Sequence, residues 1–77
     1  MRTHELKILP IYFTAILNYK KTFVVWHNDR GFDIGDYLWL REWDGDYSGR
    51  NITREILYLY WGEGIEKNYV CIAIETI

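Results

Sequence analysis

The chain has 77 residues, with nine Lys and Arg against eleven Asp and Glu and a net charge of −2 at neutral pH. That length allows one domain, residues 1–77, and the slightly acidic balance excludes a protein that grips nucleic acid by bulk electrostatics, leaving room only for a local basic patch. A single cysteine excludes an internal disulfide framework and a cysteine-based zinc site.

A chain this short buries only about 60% of its unfolded surface, so its core must be efficient. Four Trp, seven Tyr and three Phe answer that need, because large rings bury much area per residue, and most of them are expected inside. Residues 3–9, THELKIL, read as a first strand or extended lead-in. Pro10 suits a first helical turn, where its missing N–H costs nothing. From Ile11 to Asn18 the pattern turns helical: Phe13, Ile16 and Leu17 share one face, Tyr12, Ala15 and Tyr19 flank it, and Asn18 is the expected breaker. The helix should run for about nine or ten residues.

Thr22 to Trp26 is a β-branched and aromatic run and reads as a strand. His27 to Asp36 is a polar connection in which Gly35 supplies the backbone freedom that Ile34 lacks. Tyr37 to Trp43 alternates, with Leu38 and Leu40 facing one way and Tyr37, Trp39 and Arg41 the other. Asp44 to Gly49 is a turn carrying the Asp-Gly hairpin signal. In the strand Ile52 to Tyr60, the set Arg54, Ile56, Tyr58, Tyr60 alternates with Glu55, Leu57, Leu59. Residues 61–68 form a loop, and Tyr69 to Glu75 closes the chain, with Cys71 read as a small buried hydrophobe. About five strands and one helix define an α+β, mainly β, fold. Short strands at close spacing favour a small β-barrel or closed, curled sheet, with the helix plugging an end or covering an open side.

The most apolar segment, Ile8 to Leu17, is interrupted by Pro10 and falls short of the ~20 residues a spanning helix needs, so no membrane contact is expected. No signal peptide is visible at Met1 to Lys7. With the lone cysteine, this points to a cytoplasmic protein.

The polar chemistry concentrates between residues 20 and 40. Lys20 and Lys21 follow the helix, where cations complement its dipole; Lys21 in a cleft would also bind phosphate. Trp26 either caps the core or stacks a base. His27 reads as a solvated turn residue or a phosphate donor. Asp29 with Arg30 pins a turn, whereas Arg30 could instead offer its planar fork to phosphate, and Asn28 could read a base amide. His4 beside Glu5, and Arg54 beside Glu55, point to opposite faces of their strands and do not form working pairs. Arg50 and Arg54 either pair with acids or join Lys21 in a patch. There is no nucleophile–His–acid set, phosphate-cradling glycine loop or metal-ligand spacing, so neither a metal nor a cofactor is called for.

The segments HELKILPIYFTAILNYKKTF, NDRGFDIGDYLWLREWD and YSGRNITREILY resemble a small PUA-like family of bacterial and phage proteins related to the ASCH domains, over roughly residues 3–75. The most specific block is Asn28-Asp29-Arg30-x-Phe32-x-x-Gly35-Asp36. The resemblance implies a compact barrel with helical cover and an RNA or nucleotide site in a cleft beside the helix. Some ASCH relatives are hydrolases acting on RNA or on acetylated cytidine. The ASCH pattern Gly-x-Lys-x-x-Glu-x-Arg falls on Tyr19, Lys21, Val24 and Trp26, where only the lysine is retained.

Three functions follow as expectations. The first is an RNA- or nucleotide-binding module, with Lys21, Arg30 and Arg54 supplying charge, Asn28 base or sugar recognition and Trp26 a stacking surface. The second is a hydrolase in which Lys21 is base or electrostatic stabiliser and Thr22 assists; Val24 and Trp26 weigh against it, since they replace the polar residues a charged transition state needs. The third is a protein-interaction module using surface aromatics such as Trp43 and Trp61.

Overall fold

A computed structural model describes residues 1–76. Strand β1 (Thr3–Ile8) leads into helix α1 (Pro10–Leu17), followed by β2 (Phe23–His27), β3 (Tyr37–Trp43), β4 (Tyr47–Tyr60) and β5 (Tyr69–Ile74). The strands form one five-stranded sheet in the order β1-β3-β4-β5-β2. β1 runs parallel to β3, and the other neighbours are antiparallel. The 14-residue β4 is the spine: its first part pairs with β3 and its second with β5.

The sheet is curled but open, which corrects the expected barrel. Closure would require β1 to pair with β2, yet β1 bonds only to β3 and β2 only to β5. The short links Leu9 and 18–22 connect α1 in sequence to both edge strands, and the helix packs mainly against β3. Phe13 and Ile16 anchor it in a core built from Leu6, Ile8, Val24, Leu38, Leu40, Ile56, Val70, Ile72 and Ile74, the inward residues of all five strands. Alternation on β1, β3 and β5 puts every second residue inside, which fixes their registers.

Two boundaries and one phase differ from the sequence reading. The helix stops at Leu17, and Asn18 keeps φ −90°; Tyr19 takes the left-handed conformation instead, with φ +58°, as Lys20 and Lys21 N–H both donate to the Ala15 carbonyl (2.9 and 3.1 Å). β4 begins at Tyr47 because the hairpin needs only Asp44-Gly45-Asp46, with Gly45 at φ +82° and Trp43 paired to Tyr47. A bulge between Ile56 and Tyr58 then shifts the strand's phase. Leu57 and Tyr58 are both exposed while Leu59 packs against the core. Cys71 is only half-buried, on the outer face of β5.

Candidate functional site

The unpaired edges of β1 and β2 frame a cleft of about 440 Å³ lined by Lys7, Ile8, Leu9, Tyr12, Lys21, Val24, Val25 and Trp26. Each part has a local cause. Lys7 is the last outward residue of β1 before the extended Leu9 and Pro10 start the helix. Tyr12 lies on the exposed flank of α1, one residue from the buried Phe13. The left-handed turn at Tyr19 reverses the chain and brings Lys21 back against the helix, its Nζ 5.2 Å from the Tyr12 ring centre and 4.2 Å from that of Phe23. Trp26 packs one side on the core and gives the other to the cleft.

The cleft is therefore apolar and aromatic in its walls and cationic at its lip. Among the described residues, no carboxylate lies within 4.0 Å of the Lys7 or Lys21 ammonium; Lys7 instead sits over Trp43 and Tyr47 (4.9 and 5.9 Å). The lining offers no histidine, carboxylate or hydroxyl nucleophile other than the Tyr12 phenol. Thr22 adjoins it in sequence and is held by its carbonyl, which accepts from Ile74 N–H at 3.0 Å.

Of the residues singled out in the sequence, the fold thus unites Lys21 and Trp26. Asn28 lies elsewhere, in a hollow of about 450 Å³ shared with Trp61, Asn68 and Tyr69. Arg30 is held by its neighbours: it donates to Asp29 Oδ1 (2.9 Å) and to the Glu5 carbonyl on β1 (2.9 Å), tying the 28–36 connection to that edge. The same guanidinium lowers the Asp29 pKa. Arg54 is half-buried opposite Leu38, with its guanidinium 5.8 Å from the Tyr19 ring, and is not among the cleft residues. Lys7 and Tyr12 went unrecognised in the sequence, because nothing local announces that the end of β1 faces the start of β2.

Two further polar clusters brace the frame. His4 Nε2 donates to Asp36 Oδ2 at 2.9 Å, both side chains being buried, and Asp36 also accepts from the Arg2 and Asp33 N–H groups (3.0 and 3.2 Å). These bonds, the His4 one foremost, hold the Asp36 pKa down at about 2. Near the start of the helix, buried Glu42 takes both Arg50 Nε (3.0 Å) and Nη2 (2.7 Å), plus the Ser48 hydroxyl at 2.6 Å, and its pKa also falls to about 2. Arg50 in turn lies 5.1 Å over Phe13, linking the β3–β4 hairpin to the helix. Neither cluster lines the cleft, and among the described residues no group of His, Cys, Asp and Glu is placed to hold a metal ion. Among the described residues, no helix is long and apolar enough to cross a membrane.

Fold and site together define a small, mainly β domain: an open, curled sheet with one helix beside a cationic, aromatic cleft. The chain belongs to the family described as a domain of unknown function, DUF3850, whose model matches residues 3–74. No curated protein matches it.

Proposed function

We propose that this domain is a PUA-like, ASCH-related module of the cytoplasm that binds a nucleotide or a short single-stranded RNA in the cleft between β1 and β2. The observation that carries the reading is the pairing of two lysines, with no carboxylate within 4.0 Å among the described residues, with two aromatic walls in one cleft. Lys7 and Lys21 meet phosphate, and Tyr12 and Trp26 flank a base. Stacking on an aromatic side chain is worth about 1–3 kcal/mol per base and tolerates any base, since each has a π-face. The volume suits a nucleotide-sized ligand, near the lower end of the ~300–1,000 Å³ of small-molecule sites. Tyr19 gives the ASCH relationship some support: it stands where that pattern has glycine and adopts the positive φ that glycine favours.

Binding is favoured over hydrolysis by the lining itself, in which Lys21 has mainly apolar and aromatic neighbours and, beside Lys7 and the Tyr12 phenol, no carboxylate or imidazole to act as a general base. The test is a salt titration of affinity for a short single-stranded RNA. Each lysine–phosphate contact contributes about −0.7 to the slope of log K against log salt. Lys21→Ala should flatten the slope by that amount and Trp26→Ala should leave it unchanged while weakening binding. An affinity indifferent to salt would overturn the proposal.

A further inference from the structure

The main chain at the two sheet edges supplies hydrogen-bonding groups that the side chains of the cleft do not. On β2, the Thr22 carbonyl accepts from Ile74 N–H (3.0 Å), and Asn28 N–H donates to the Asn68 carbonyl (2.8 Å). Between these two bonds the register runs without a shift, from Phe23 against Ala73 to His27 against Tyr69. Bonded and non-bonded residues alternate in an antiparallel pair, so the even-numbered residues from 22 to 28 bond to β5. The N–H and C=O of Val25 therefore point away from β5, and β2 is the last strand on that side. The same alternation holds on β1. Tyr37 N–H donates to the Arg2 carbonyl (2.8 Å), which turns the even-numbered residues toward β3. The Glu5 carbonyl accordingly faces outward and accepts from Arg30 Nη1 (2.9 Å), and Lys7 presents its N–H and C=O to the same side. Lys7 and Val25 both line the cleft. Among the described residues, neither main chain has a hydrogen-bond partner there.

Resting on the nucleotide reading of this cleft, we propose that the pairing edge of the bound base docks on the main-chain N–H and C=O of Val25. A strand residue offers a donor beside an acceptor, which is how two residues of facing strands bond each other twice. Every natural base carries the complementary acceptor and donor side by side on its Watson–Crick edge, the edge by which unpaired bases are read. The cleft thus selects a free edge and not one particular base. Single strands are accepted, and a duplex, whose edges are spent on pairing, is refused. Ile8, Val24 and the Trp26 ring surround the site with apolar surface, so a ligand that cannot return these hydrogen bonds leaves them unmet as water is displaced. An added peptide strand would use the same kind of group, but the available edges are short. The His27 carbonyl is already taken by Asp29 N–H (2.8 Å) and the Glu5 carbonyl by Arg30.

Short single-stranded oligomers of uridine, 3-methyluridine and 5-methyluridine, titrated into the intact labelled chain, test this. All three keep the phosphates and the stacking face, and only the 3-methyl group removes the donor of the pairing edge. The 3-methyluridine oligomer should bind about 5- to 150-fold more weakly than the uridine oligomer, as expected for a hydrogen bond left unmet. The 5-methyluridine oligomer should bind within about twofold of it, since stacking is retained. In the free protein the Val25 amide should exchange with solvent faster than the bonded amides of Val24 and Trp26, and the uridine oligomer should slow it. Equal binding of the uridine and 3-methyluridine oligomers, or a Val25 amide whose exchange is unchanged at saturation, would overturn the proposal while leaving the cleft a nucleotide site. Binding of none of the three would remove this reading together with that of the cleft itself.

Discussion

Phe13→Ala measures how far the helix, and with it one wall of the cleft, depends on a single side chain. Phe13 is 1% exposed and sits under α1 in the core, with the Arg50 guanidinium above its ring. Removing a buried Phe costs about 3–5 kcal/mol, from lost transfer energy and the cavity left behind. The eight-residue helix cannot offset this locally, since isolated helices below about 12 residues are marginal in water. A 77-residue domain has a total stability of about 4–12 kcal/mol. The substitution should therefore remove between about a quarter and all of it. At about 4–8 °C per kcal/mol for a domain of this size, the melting temperature should fall by at least about 12 °C. Urea unfolding followed by far-ultraviolet circular dichroism gives the value directly. Ile11→Ala, on the solvent side of the same helix, is the control and should stay within about 0.5 kcal/mol of the parent. A loss below about 1 kcal/mol in Phe13→Ala would refute the claim that this ring anchors the helix.

Acid should unfold the domain from below about pH 5, because Asp36 and Glu42 have folded pKa values of about 2 against ordinary values of 3.8 and 4.5. With pKa values depressed in the fold, both contribute stability that is complete above their unfolded pKa values and lost as pH falls toward 2. Melting temperatures between pH 7 and 2 check this, and Asp36→Asn should flatten the acid limb. Gly35, at φ +94° with open space around it, is required by backbone conformation and not by crowding; Gly35→Ala should cost about 1–2 kcal/mol by chemical denaturation. Tyr19→Gly should relieve a left-handed tyrosine while removing the ring beneath Arg54, so its net change in unfolding free energy should lie within about 1 kcal/mol of zero.

The strands were legible because their periodicity is strict: Leu38, Leu40 and the inward residues of β5 all fall on the buried face. The barrel was not, since closure depends on whether two edge strands meet, and no local pattern in β1 or β2 records whether they do. The phase of β4 failed at Leu57, where one extra residue in a bulge leaves no trace in an apolar run. In the site, Lys21 and Trp26 stood out through residue type and position beside a turn. Lys7 and Tyr12 did not, because they come from elements that only the fold brings opposite β2. The His4–Asp36 bond spans 32 residues, and the adjacent Glu5 made the more obvious but geometrically excluded partner.

The most direct test of the cleft is an amide and side-chain NMR titration of labelled protein with nucleotides and a short single-stranded RNA. The account predicts saturable shifts at Lys7, Tyr12, Lys21 and the Trp26 indole, with Asn28 and Arg54 largely unmoved. Trp26→Ala should weaken the binding about 5- to 150-fold, the equivalent of about 1–3 kcal/mol of stacking. Shifts that gather in the hollow around Asn28 and Trp61, or none at millimolar ligand, would contradict it.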